Sequence, residues 1–391
     1  MNDLQILQLI RANHGATRAQ ISDSTGMSPA TVVRAVADLL NAGFLFKMNL
    51  NEPKGGRGRP SELLQIAPDC GYTLGVEFGQ KHIIYSVLDA VGRQIYWGQQ
   101  PSVLPYRADD MVMDGLVDAA RRIVGELQLP WEKVGSVGVA VHDVVTAGGE
   151  WIPWQQAQTM PYNAARYLEA AFMRPVTIED ISRASAEAEH RYGSGRGLAD
   201  FIYLFVGDSG IGSGIFINNN LMKSSSGVCG EIGHLVVEAD GQLCQCGNYG
   251  CLETIALPHA VISQLQSVLL EDIYSHLNTQ KQLTFADVCR AAQEGDKHAY
   301  IALRRQAVSI ATALTYVINI TGASSVLLGG ELRHVGESYL ADLGSDLRQN
   351  VMPALVPRVE VRHAELHGYA GAMGVAAQAL DLAWDSGQFL A

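Results

Sequence analysis

The sequence predicts a winged helix-turn-helix at the amino terminus, mainly α with one β-hairpin, followed by a larger α/β body of two lobes. Two observations carry this expectation. Residues 2–69 read as apolar-striped helices followed by a pair of short strands. Beyond Asp69 strands alternate with helices, and one strand-turn-strand phrase occurs twice, from Gly71 and again from Asp200. A chain of 391 residues is too long for one simple core. The expected division is 1–69 for the winged helix-turn-helix, 70–195 for the first lobe, and 196–391 for the second lobe with an oligomerisation surface.

In the first domain, "DLQILQLIRANHG" places Leu4, Ile6, Leu7, Leu9 and Ile10 on a helical stripe that ends at Gly15. Thr17 is the N-cap of a short helix containing Ile21, and Gly26 makes the turn. Ser28 caps a longer helix whose Val32, Val33, Val36, Leu39 and Leu40 are expected to face inward. Two short helices about a glycine turn make a helix-turn-helix. Ser28, Pro29, Thr31 and Arg34 then sit at the exposed start of a recognition helix, placed to enter a major groove. "FLFKMNL" and "SELLQIAP" read as hairpin strands joined by "NEPKGGRGRP". This glycine-loosened tip carries Lys54, Arg57 and Arg59, which suit a narrow minor groove where negative potential is concentrated. The alternative is a small helical protein-interaction module with a solvated loop.

Charge and composition bound the partners. The formal net charge of −12 speaks against nucleic acid, but from Phe46 to Leu63 the segment is locally basic. Apolar residues make up 48% of the chain, enough for a sizeable core. No stretch reads as a signal peptide or a spanning helix. The most apolar region, Gln306 to Gly330, is uncharged yet dotted with Ser, Thr, Asn and Gln, as in a buried helix followed by a buried strand. A cytoplasmic protein without membrane insertion is expected. Six irregularly placed cysteines argue for reduced thiols or metal over a disulfide framework.

The lobes follow. "GYTLGVEFGQKHIIYSVLDAVGRQIY" gives a strand, a turn at Gly79, a second strand and a turn at Gly92. "DFIYLFVGDSGIGSGIFINNNLMKS" repeats that order with Gly207, Gly210, Gly212 and Gly214 and a turn over Asn218 to Asn220. A duplicated opening of this kind suggests two related lobes with a cleft between them, the actin-like ATPase and sugar kinase (ribonuclease H-like) architecture. Gly329 and Gly330, after a strand, either approach a nucleotide closely or make a tight turn. The closing "HGYAGAMGVAAQALDLA" is a small-residue helix suited to tight packing on a lobe.

His234, Cys244, Cys246 and Cys251 follow the spacing H-x9-C-x-C-x4-C within a glycine-rich loop. One imidazole and three thiolates complete a tetrahedral Zn2+ shell, and four protein ligands leave no place for water, so the metal is structural. The alternative is four independent residues with the thiols packed as small hydrophobes. Cys70, Cys229 and Cys289 lack such partners and read as core or incidental residues.

"GEIGH" followed by "CQCGNYGCLE" resembles the signature of the ROK family, which comprises repressors and sugar kinases, and the likeness runs from the winged helix through "GRGRP" and both lobes to the last helix. The resemblance implies that the zinc loop braces sugar-binding residues, with Glu231, His234 and Glu253 contacting hydroxyls. Carboxylates suit this because each oxygen accepts strong, directional bonds from vicinal hydroxyls, and a histidine can hold metal through one ring nitrogen while the other faces ligand. The family's kinases carry three further features. The first phosphate loop matches "GVEFGQKH", with Glu77 at the family's aspartate and Gln80-Lys81 in place of Gly-Thr, a bulkier loop that should hold phosphates poorly. "GDSGIGSGI" keeps the second glycine loop. In "VTIEDISRASAEAEHRYG" Asp180 best matches the catalytic aspartate, with Glu179 at the preceding asparagine. Both are expected to bind sugar, and Asp180 would be the general base if the chain were a kinase. His142-Asp143 replaces the family's Pro-Gly turn near the sugar. Trp151 and Trp154 are candidates for stacking on a sugar face or for the core.

The resemblance therefore implies a non-enzymatic, sugar-responsive transcriptional regulator, a repressor of carbohydrate-uptake or catabolism genes. It would bind a double-stranded DNA operator as a homodimer or homotetramer, because two half-sites double the contact of one winged helix. Closure of the lobes on a sugar or sugar derivative would reposition the paired DNA-binding domains. Two other readings stay open: an ATP-dependent sugar kinase that retains a DNA-binding domain, and a regulator controlled by docking of another protein.

Overall fold

The computed structural model describes residues 2–49, 62–152, 161–269, 277 and 283–390. Lys54, Arg57, Arg59 and Trp154 lie outside the described residues. The first domain comprises α1 (Asn2–Ala12), α2 (Arg18–Thr25), α3 (Pro29–Asn41), β1 (Leu45–Asn49) and β2 (Glu62–Ile66). Thr17 and Gln20 form a reciprocal capping box at α2, and Gly26 closes it at φ 70°, a left-handed conformation that favours glycine. The Ser28 side chain accepts from the Thr31 backbone N–H at 3.2 Å and so starts α3. Val32, Ala35, Val36 and Leu39 face the core. Val33 does not face inward as expected. It is 55% exposed, because a step of about 100° per residue carries it from the buried stripe onto the face of Ala30, Arg34 and Ala37. β1 and β2 pair antiparallel from Leu45 opposite Ile66 to Asn49 opposite Glu62.

The first lobe opens with β3 (Tyr72–Phe78), β4 (His82–Asp89) and β5 (Gln94–Pro101). It continues with α4 (Asp110–Glu126), β6 (Val134–Val141), the short hairpin β7 (Val144–Val145) and β8 (Trp151–Ile152), α5 (Ala164–Phe172), β9 (Val176–Asp180) and α6 (Ile181–Tyr192). Its five-stranded sheet has the order β5-β4-β3-β6-β9, with β3, β6 and β9 parallel. β6 is buried along its whole length, as a central parallel strand must be.

The second lobe repeats the plan. β10 (Phe201–Val206), β11 (Ile211–Ile217) and β12 (Asn220–Leu221) are followed by α7 (Glu253–Ala256), α8 (Pro258–Leu269), α9 (Phe285–Gln293), α10 (Lys297–Thr321), β13 (Ser325–Gly330), α11 (Glu337–Asn350) and β14 (Glu360–His363). The sheet order β12-β11-β10-β13-β14 matches that of the first lobe strand for strand. Asn218 and Asn219 turn β11 into β12 at φ 52° and 61°, the positive values that a two-residue hairpin turn needs. The uncharged run beginning at Gln306 forms the second half of α10, capped by left-handed Gly322, and then β13.

The closing helix α12 (Ala370–Asp385) departs from the expected boundaries. It does not stay with 196–391 but crosses back to the first lobe, where Thr73 Oγ1 donates to the Ala376 carbonyl at 3.0 Å and Ser136 Oγ donates to that of Ala379 at 2.5 Å. Small residues make this possible. A Cβ on Gly374 would lie 1.7 Å from the Ala184 carbonyl oxygen of α6, so α6 and α12 touch backbone to backbone. The end of α12 and the turn after it also complete the first domain, with Trp384 and Phe389 joining Ile6, Leu7, Ile10 and Leu39 in one apolar cluster. Among the described residues no helix is long and apolar enough to cross a membrane.

Candidate functional site

A cavity of about 290 Å³ lies between the lobes, near the lower end of the ~300–1,000 Å³ usual for small-molecule sites. The first lobe supplies Tyr106, His142, Asp143, Asp180 and Ser182. The second supplies the turn from Ser209 to Gly212 with Glu231, His234, Gln245 and Glu253. No lysine or arginine lines it among the described residues.

Asp180 ends β9 and caps α6, its carboxylate accepting from the backbone N–H of Ser182 at 2.9 Å and of Arg183 at 3.1 Å. Burial raises its pKa against the pull of Arg183. Glu179 is not beside it in the cavity. Successive strand residues point to opposite faces, so Glu179 turns away, accepts from Arg183 Nε at 2.7 Å and pairs with Lys223 at 3.7 Å in a separate cavity. Its expected role in contacting sugar does not fit this placement. An arginine four residues along α6 neutralises it instead.

Glu253 opens α7. Its Oε1 accepts from the Ile211 N–H at 2.8 Å and its Oε2 from Gln245 Nε2 at 3.4 Å, which pins it against the second glycine turn. Glu231 precedes the tight turn Ile232–His234. Burial, helped by the negative charge of Asp180, pushes its carboxyl up to about 7.

His234 turns its Nδ1 towards the cysteine loop, 3.7 Å from Cys244 Sγ, while the residue also lines the cavity. The donor atoms of His234, Cys244, Cys246 and Cys251 all lie within 4.8 Å of one another, and Cys246 Sγ is 3.6 Å from Cys251 Sγ. A tetrahedron of ligands at about 2.3 Å from zinc has edges of about 3.8 Å, so the four residues fit that ion. All six cysteines are free thiols; Cys70 and Cys289 are buried and Cys229 is half-buried.

The turn at His142-Asp143, noted in the sequence only as a departure, proves central. Asp143 accepts from Trp151 Nε1 at 3.0 Å. Trp151 itself is buried, edge-on to Phe78, and stands behind the cavity without lining it. His142 Nε2 lies 3.4 Å from Glu77 Oε1, and its ring meets Phe205 of the other lobe edge-on. Burial lowers the His142 pKa, but the Glu77 hydrogen bond and charge, with Asp180 and Asp143, outweigh it and raise the value. Sequence reasoning missed Tyr106, whose hydroxyl accepts from the His142 N–H at 2.8 Å. Its stretch "VLPYRADD" carries no motif, and only the fold brings it to the site. Gln245, between two cysteines, was likewise overlooked.

Beyond His142 lies a second cleft of about 400 Å³ between the two glycine turns, bordered by Gly79, Gln80, Lys81, Gly207, Asp208 and Gly330. Lys81 Nζ meets Asp208 Oδ2 across it. Far from both, Ser28, Pro29 and Arg34 are exposed on α3 and Thr31 is half-buried.

Residues 73–381 match the model of the ROK family, and residues 2–45 match that of a winged helix-turn-helix DNA-binding domain. The chain is 26% identical over 387 residues to the xylose repressor of Caldicellulosiruptor bescii, covering 97% of this chain and 95% of that one. A solved ROK family transcriptional regulator, a homologue of the E. coli Mlc protein, superposes with a TM-score of 0.83 at 22% identity over 100% of this chain and 97% of that chain, which shows the shared fold. The ROK family glucokinase from Streptomyces griseus, solved with glucose and AMPPNP, gives 0.67 at 26% identity over 80% of this chain and 100% of that chain.

Proposed function

This chain belongs to the ROK family, and from that premise we propose that it is a transcriptional repressor of carbohydrate-uptake or catabolism genes whose grip on a DNA operator answers a sugar held between its lobes. One observation carries the reading: a single chain joins a winged helix-turn-helix to an inter-lobe cavity lined by the carboxylates of Asp143, Asp180, Glu231 and Glu253. Carboxylates on both walls accept from hydroxyls on both faces of a small polyol, so binding favours the closed lobes. No lysine or arginine is among the described lining residues, and the four carboxyl groups outnumber the imidazoles of His142 and His234 there, so the site disfavours a phosphate and the ligand is an unphosphorylated sugar.

The residues of the zinc loop hold a structural ion. It would draw the ends of a glycine-rich loop together so that His234 and Glu253 stand at fixed positions against the ligand. Ser28, Pro29, Thr31 and Arg34 read the major groove, with Lys54, Arg57 and Arg59 at the wing. Two chains, as a homodimer or a pair of dimers, cover two half-sites. The chain acts in the cytoplasm and does not catalyse phosphoryl transfer: His142, held by Glu77, lies on the boundary shared by the sugar cavity and the second cleft, and the Lys81–Asp208 pair spans that cleft. A kinase is the second reading, favoured by Asp180 in the cavity and by the glucokinase likeness.

The test is thermal shift of the full chain with D-xylose, D-glucose, N-acetyl-D-glucosamine, their phosphates and ATP. An unphosphorylated sugar at about 100 times its Kd should add about 2.7 kcal/mol to stability. Preference for a sugar phosphate would overturn the ligand class, and sugar-dependent ATP consumption would establish the kinase.

A further inference from the structure

The geometry points to Asp381 as the positioning residue that couples the sugar cavity to the winged helix-turn-helix. This rests on the sugar-responsive reading above.

Helix α6 begins in the cavity with Asp180 and Ser182 and ends beside the DNA-binding domain. Its 12 residues span about 18 Å at ~1.5 Å per residue. In its last turn Arg191 places Nε 2.5 Å from Glu187 Oε1 and Nη2 2.5 Å from Asp381 Oδ2. The other Asp381 oxygen takes Nη2 of Arg11, on α1 of the first domain. One carboxylate thus joins an arginine whose helix starts at the ligand to an arginine of the DNA-binding domain.

Two further contacts make this a mechanical connection. α6 and α12 are in backbone contact at Ala184 and Gly374, and a Cβ on Gly371 would lie 2.5 Å from the Ile181 side chain. Helices packed this tightly shift together, because a close-packed interface transmits displacement. The far end of α12 is the seat of the first domain: Gln8 Nε2 donates to the Trp384 carbonyl at 3.5 Å, and the Arg11 guanidinium stands 5.9 Å from the Trp384 ring. The apolar seat supplies adhesion, and the arginine-carboxylate-arginine triad supplies direction. Burial raises the Asp381 pKa, but Arg191 and Arg11 outweigh it and hold the carboxyl below its usual range, so the joint keeps its charge. Each member keeps part of its side chain in solvent, and Asp381→Asn preserves the shape of that side chain, so the melting temperature of each variant establishes that the chain is still folded.

Hydrogen exchange of the full chain, followed by mass spectrometry with and without D-xylose, D-glucose or N-acetyl-D-glucosamine, tests the coupling. In the wild type a bound sugar should slow exchange in 178–183 and 230–234 and change exchange in 3–12 by about threefold or more. In Asp381→Asn and Arg191→Gln the cavity response should persist while the α1 response falls to less than about half. Asp381→Glu should restore it. An α1 response that survives Asp381→Asn overturns the coupling, as does a wild type whose cavity responds while α1 does not. If neither segment responds to any of the sugars, the sugar-responsive reading itself fails and the joint with it.

Discussion

Lys81 Nζ lies 2.5 Å from Asp208 Oδ2, tying the glycine turn of the first lobe to that of the second. In a nucleotide site these turns must open their N–H groups to phosphate. Here the cation is already paired, and the aspartate adds negative charge to the cleft between the two turns.

ATP with magnesium should therefore leave the melting temperature unchanged to within about 1 °C, because a ligand that does not bind gives no linkage stabilisation. Asp208→Ala frees Lys81 and should bring ATP binding into the range that calorimetry measures, while costing less than about 1 kcal/mol of stability as expected for an exposed pair. Tight ATP binding by the wild type would contradict this account of the cleft.

Glu231 links the cavity to pH. Its carboxyl is raised from an ordinary value of 4.5 to about 7, so between those values the folded chain keeps a proton that the unfolded chain has released. Stability is accordingly lost as pH rises through that window. Glu231→Gln should be more stable than the wild type by about 1–3 kcal/mol at pH 8, with little difference near pH 4.5. Denaturant melts at both pH values check the sign, and the same variant should lose its sugar response.

Metal analysis should find about one zinc per chain. Cys246→Ser removes one of the four ligands and should weaken zinc binding by more than about tenfold, with loss of the sugar-induced thermal shift and retention of DNA binding. A zinc-free preparation with an unchanged sugar response would remove the bracing role of the loop.

Arg57→Ala combined with Arg59→Ala should reduce the slope of log affinity against log salt by about 2 if both arginines contact phosphate. Arg34→Ala, at the start of the recognition helix, should relax base preference at one position and cost about 1–3 kcal/mol there. Fluorescence titrations of selected duplexes at several salt concentrations separate the two effects.

Local signals carried most of the fold. Caps at Thr17 and Ser28, turns at Gly26 and Asn218–Asn219, and the repeated strand phrase each depend on neighbours a few residues away, and each stands where the sequence puts it. The cluster of His234 with Cys244, Cys246 and Cys251 was legible for the same reason, since the four residues lie within one short segment. Pairings between distant segments were not legible. Helix α12 shows its small residues in the sequence but not the lobe that accepts them, and Tyr106 reaches the cavity only through the fold. Val33 and Glu179 failed differently: each belongs to a residue pair of matching chemistry, and only the helical or strand step decides which member faces in.

The return of α12 to the first lobe bears on how the chain is made. The ribosome makes the DNA-binding domain well before its seat at Trp384 and Phe389. Until those residues emerge, the winged helix lacks Trp384 and Phe389 from its apolar cluster, and the Gly75 and Gly138 face of the first sheet lacks its covering helix. A chain cut before Ala370 would thus still contain every residue assigned to DNA, zinc and sugar, yet would have no α12 to hold them in one assembly.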